Sequence, residues 1–127
     1  MNILDKTIQL RETIQRLESK LSKDTRIKAS KVAVMSPSFD VDTGLITGMT
    51  HTPISGTEVY TTRVNLHNKS VRCTCEAGGF GRLCKHTIAL ARWLDDRLDI
   101  DQRAIEHALT HSLIGTHEYK AQQKKTA

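Results

Sequence analysis

Aromatic side chains are scarce in this chain, with two Phe, two Tyr and one Trp making up 4% of 127 residues. A core built with so few rings is aliphatic and modest, and a core that thin gains from a cross-link. No apolar run approaches the roughly 20 residues that span a bilayer. The opening MNILDKTIQLRE carries charges where a signal peptide needs its apolar stretch. These absences lead to the expectation of a cytoplasmic (intracellular) protein with no membrane partner. The three cysteines, an odd count confined to positions 73–84, suit a reducing compartment better than a disulfide framework. No Gly-rich phosphate loop, hydrolase elbow or nucleophile beside a recognisable base occurs. The chain is therefore read as non-enzymatic, without a small-molecule substrate.

The length allows one domain and is too short for two full-sized cores. Nineteen Lys plus Arg against fourteen Asp plus Glu give a formal charge of +5, a mild basic bias that permits a polyanionic partner without requiring one. Leu4 to about Lys23 contains neither Gly nor Pro and reads as a helix. Its residues Ile3, Thr7, Leu10, Ile14, Leu17 and Leu21 follow at steps of four and three. Such a seam either packs on its own domain or pairs with a partner helix or a second copy.

From Ala29 the helical spacing gives way to strand and turn signals. Lys31–Met35 and Leu45–Met49 read as short strands joined by the turn-rich SPSFDVDTG. Glu58–Leu66 is the strongest strand, with Tyr60, Thr62, Val64 and Leu66 on one face. A tight turn at His67 and Asn68 returns the chain into a partner strand, Lys69–Cys75. Lys85–Leu98 reads as the core helix. Asp101 is a reasonable N-cap for a closing helix that runs to about Ile114 and stops at Gly115.

The informative stretch is VRCTCEAGGFGRLCKHTIALARWL, which holds Cys73, Cys75, Cys84 and His86 as C-x-C, eight residues, C-x-H. Side chains two apart on a strand project to one side, so Cys73 and Cys75 can aim both sulfurs at one point. Residues two apart in a helix diverge by about 200°. Cys84 therefore lies before the helix and His86 in its first turn. Three thiolates and an imidazole form a closed tetrahedral Zn²⁺ set. With no position left for water, the expected role is one structural ion that staples hairpin to helix. A Cys73–Cys75 disulfide would close a strained ring, and the spacing matches neither of the ferredoxin iron–sulfur patterns.

This motif, with the strand before Cys73 and the helix bearing Ile88, Ala89, Leu90 and Leu94 after His86, resembles the SWIM zinc-finger family over roughly residues 60–98. The family pattern often places Pro just before the third ligand, where this chain has Leu83. The resemblance implies a zinc-holding hairpin plus helix. The family's members include Mutator-type transposases, bacterial helicase-like ATPases, ubiquitin-pathway proteins and recombination accessory proteins that partner RecA-type recombinases. They use the finger to bind DNA or other proteins.

Arg63 and Arg72 fall on the hairpin face opposite Val64 and Val71, and Arg82 and Lys85 bracket the end of the metal loop. These four are the candidate nucleic-acid contacts. His107 and His111 lack the H-E-x-x-H pattern and are read, with His117 nearby, as surface residues. Asp40 and Asp42 are read as turn residues, since the spaced oxygens of an EF-hand do not follow. His51 and His67 are assigned no role.

The expected architecture is α+β, with about four antiparallel strands, an N-terminal helix over 1–28 used for packing or oligomerisation, and one domain over 29–115. A flexible basic tail follows over 116–127. The expected function is binding of DNA or RNA, as a regulator or accessory factor in DNA transactions. The alternative is a protein-interaction adaptor, with a RecA-type recombinase as one candidate partner.

Overall fold

A computed structural model describes residues 3–53, 58–75 and 81–113. Its elements are α1 (Ile3–Ser19), α2 (Lys23–Ala29), β1 (Ala33–Asp40), β2 (Leu45–His51), β3 (Tyr60–Asn65), β4 (Ser70–Cys73) and α3 (Lys85–Leu113). The strands pair antiparallel in chain order, β1-β2-β3-β4. The α+β class with a four-stranded antiparallel sheet is as expected.

Period-two patterning sorts the sheet's side chains into two faces. Ile46, Thr50, Thr62, Val64, Val71 and Cys73 are buried, while Arg63 and Arg72 stand exposed on the outer side. Helix α3 lies across the inner face and buries Ile88, Leu90, Ala91, Leu94 and Leu98 in the core. Gly48 lets it lie close, because a Cβ there would sit 2.8 Å from Leu90 Cδ1. The fully buried part of this layer is aliphatic, as expected from composition, with Phe39 of β1 and Trp93 of α3 packed partly buried against it.

The seam of α1 is used within the chain. Leu10, Ile14 and Leu17 are buried in the same core cluster as Leu94 and Leu98. Polar bonds fix α1 antiparallel to α3: Arg11 donates to Asp95 and Asp99, both at 3.0 Å, and to Gln102 at 2.9 Å. Seven residues further along α1, Glu18 accepts from Arg92 Nε at 3.0 Å.

Several element bounds differ from the sequence-based expectation. The first helix breaks at Lys20–Ser22, where Ser22 takes a β conformation and caps α2 by accepting from Thr25 N at 3.1 Å. Its Ser-x-x-Thr spacing was the available signal. The expected core and closing helices are one continuous helix of 29 residues. Nothing between Leu98 and Asp101 breaks a helix, and Asp99 is held in place by Arg11 and Arg103.

Strand β1 extends through Pro37 to Asp40 with a bulge between Met35 and Ser38, and Ser36 sits at φ 50°. An edge strand tolerates both proline and bulge. The turn after it is confined to Asp40–Gly44, where Asp40 Oδ1 accepts from Asp42 N at 2.9 Å. Of the two expected turn residues, Asp42 lies within the turn, and Asp40 ends β1 and bonds into the turn through its side chain.

The second hairpin turn takes in Leu66–Lys69 and shortens both flanking strands. The Asn65 side chain accepts from His67 N at 2.9 Å, and the Asn68 side chain accepts from Ser70 N, also at 2.9 Å. These bonds hold the backbone in turn geometry. Lys69 closes the turn in a left-handed conformation, at φ 60°. The stop at Gly115, His117 and the tail over 116–127 lie outside the described residues. No helix among the described residues is long and apolar enough to cross a membrane.

Candidate metal centre

The end of β4 and the start of α3 converge at one corner of the sheet. Cys73, the last residue of β4, points inward and is fully buried. Cys75 lies two residues on, past the strand, and is half-buried. Thr74 keeps this segment aligned: its N–H donates to Thr61 O at 3.1 Å, and its hydroxyl accepts from Thr61 N at 3.0 Å. The chain returns through Gly81, at φ +73°, a left-handed conformation natural to glycine. Arg82 and Leu83 follow, and Cys84 stands immediately before α3.

Cys84 occupies the N-cap of α3, since its carbonyl accepts the first helical bond from Ile88 N at 3.2 Å. Thr87 does the side-chain work of the cap, accepting from Cys84 N at 2.9 Å and donating to Cys84 O at 2.9 Å. This is the reciprocal half of a capping box, with Thr in place of Glu or Gln. The Cys84 sulfur is thereby left to face Cys73, Cys75 and His86.

His86 is 5% exposed and packs its ring on Tyr60, centroids 4.6 Å apart and planes at 47°. Its Nδ1 lies 3.8 Å from Cys84 Sγ, and Cys75 Sγ lies 3.6 Å from Cys84 Sγ. All four ligand atoms fall within 4.8 Å of one another. A tetrahedral ion with sulfur at 2.3 Å and nitrogen at 2.0–2.1 Å separates its ligands by about 3.5–3.8 Å. Cys73, Cys75, Cys84 and His86 are thus positioned to hold one metal ion, as the spacing anticipated. No disulfide joins the cysteines.

The electrostatics point the same way. The Cys84 thiol is pulled down to about 3, first by its contact with the Cys73 sulfur and further by His86 and Thr87, against the effect of burial. Cys73 is pushed up, first by the same sulfur contact and then by burial. One proton shared between two close sulfurs is what a cation would displace. Thr62 Oγ1 lies 3.5 Å from Cys73 Sγ and 2.9 Å from Thr50 Oγ1, and both threonines are fully buried.

Tyr60, Thr50, Thr62 and Thr87 support the ligands, and sequence reasoning assigned them no part. Tyr60 and Thr62 could have been found, since they share the inward strand face that leads to Cys73. The candidate nucleic-acid residues divide into two groups. Arg63 and Arg72 are directly opposite one another on the outer face. Arg82 is exposed beside the β4 edge, and Lys85 sits in the first turn of α3 on the other side of the sheet. His107 lies on the exposed part of α3, consistent with a surface residue.

Comparisons with protein-family models, with curated proteins and with solved structures give no match to this chain. The SWIM resemblance therefore rests on the four ligands and their spacing.

Proposed function

We propose that this protein is a SWIM-like zinc module, non-enzymatic, that binds nucleic acid. The observation that carries the reading is the closed set of three sulfurs and one imidazole nitrogen at the junction of β4 and α3. Sulfur-rich tetrahedral sets select zinc among common divalent ions. Such an ion would hold the hairpin to the helix, and the set's fourth member, His86, leaves no open position for a reacting water. With three thiolates the zinc centre carries a net charge of −1, which Arg82 and Lys85 beside it offset.

Nucleic-acid binding is supported by the +5 formal charge and by the cationic side chains on the metal side of the molecule. The test is a titration of zinc-loaded protein with labelled duplex DNA at several salt concentrations. Binding whose log affinity falls linearly with log salt is expected. No binding at low salt of either the duplex or a matching single strand of DNA or RNA would end this reading.

A protein partner is a second reading, favoured by the far half of α3. Beyond Leu98 no residue through Thr110 is buried, and Ile100 and Leu109 are 67% and 51% exposed.

A further inference from the structure

The densest positive charge in the described chain lies on α2 and the turn before it, where sequence reasoning proposed no contact. Lys20, Lys23, Arg26, Lys28 and Lys31 are all exposed. Of the carboxylates nearby, Glu18 pairs with Arg92 and Asp24 with Lys28 at 3.1 Å, while Asp96 lies across the groove that follows α2. Among the described residues no carboxylate lies within ion-pair reach of Lys20, Lys23, Arg26 or Lys31. The helix buries only Ala29, so self-repulsion among these cations is offset by little packing of its own.

The cations are joined to the metal centre through one face of α3. Lys85, Ala89, Arg92 and Asp96 follow at steps of four, three and four, which align on a helix. The last three line a groove of about 370 Å³ with Ala29, Ser30, Val32 and Val34, and Arg92 Nη1 donates to Arg26 O at 3.0 Å. Lys85 lies about one turn, a rise of about 6 Å, before Ala89 on this same face. Farther along α3 acidic side chains outnumber basic ones, with Asp95, Asp96, Asp99, Asp101 and Glu106 against Arg97 and Arg103. The molecule is polarised along α3, cationic at the metal end.

We infer that α2, the α1–α2 turn and Lys85 form the phosphate-contacting face, and that its ligand is duplex DNA held by its backbone. This rests on the nucleic-acid reading above and gives it a surface and a substrate class. A single strand is normally gripped by stacking its bases on aromatic rings. None of residues 20–31 is aromatic, and the one ring in the groove, Trp93, has the Arg97 guanidinium over it at 5.5 Å. Charges without rings suit the regularly spaced phosphates of a duplex.

The test compares two triple variants of the zinc-loaded full chain, each first shown to keep its metal and its circular dichroism. One carries Lys20→Ala, Lys23→Ala and Lys31→Ala. The other carries Lys6→Ala, Arg16→Ala and Lys69→Ala, an equal charge change elsewhere on the surface. The first should weaken duplex binding at low salt by roughly tenfold or more and reduce the salt slope by about 0.9 per lysine removed. The second should keep the wild-type slope. Wild-type slope in the first variant, equal losses in both, or tighter binding of a single strand than of the matching duplex would overturn the inference while leaving nucleic-acid binding intact. Wild-type protein that binds no nucleic acid removes both.

Discussion

Thr62 Oγ1 lies 3.5 Å from Cys73 Sγ, and its other contact is Thr50 Oγ1 at 2.9 Å. A metal-bound thiolate has no proton, so Thr62 must donate to sulfur and accept from Thr50. Metal binding thereby sets the direction of a buried hydroxyl chain running from β2 through β3 to β4. Outer hydrogen bonds of this type typically tune metal affinity by about 10–100-fold. Thr62→Val, which keeps the shape and removes the donor, should lower metal affinity within that range and shift the sulfur-to-metal absorption of the cobalt-substituted protein. Thr50→Val should act in the same direction in the wild-type background and have no further effect beside Thr62→Val. An unshifted cobalt spectrum with unchanged affinity would show that the chain does not reach the sulfur.

The centre joins the β3–β4 hairpin to a helix that otherwise meets it through aliphatic packing, so loss of the metal should loosen this corner of the fold. Cys84→Ser, or a strong chelator acting on the wild type, should remove the ion and melt the β3–β4 hairpin and the first turns of α3 in one transition, since binding and folding are linked. Far-ultraviolet circular dichroism followed alongside metal content checks this. Full ellipticity after verified metal loss would mean that the aliphatic core holds the corner unaided.

The seam of α1 is core in this chain. Ile14 is 1% exposed, and Ile14→Ala should cost about 2–5 kcal/mol of stability through lost burial and a residual cavity. Denaturant unfolding measures the cost, and sedimentation of the folded fraction should be unchanged by the substitution. A change in association state with stability preserved would instead assign the seam to a second copy or a partner helix.

The ligand set was legible in the sequence because its chemistry is local. C-x-C needs a strand end, C-x-H needs a helix start, and both were found where the spacing required them. Strand faces were legible for a similar reason, as Arg63 and Arg72 opposite Val64 and Val71 follow from a period of two. Boundaries were not, because they depend on partners distant in sequence. Asp101 has an N-cap's side chain yet lies inside α3, and Arg11, some ninety positions earlier, ties down the neighbouring turns at Asp95 and Asp99. Asn65 and Asn68 lengthen the hairpin turn through their own side-chain bonds, which residue type alone left undecided between turn and strand. The charge on α2 was visible as composition but not as a surface. Only the break at Ser22 and the packing on Ala89 and Arg92 place it one helical turn from Lys85.

X-ray absorption at the zinc edge of the purified protein, with metal stoichiometry from the same sample, addresses the centre most directly. The expected result is one zinc per chain with three sulfur neighbours at about 2.3 Å and one nitrogen at about 2.0–2.1 Å. A protein that retains no zinc, or a shell dominated by oxygen and nitrogen, would contradict the account.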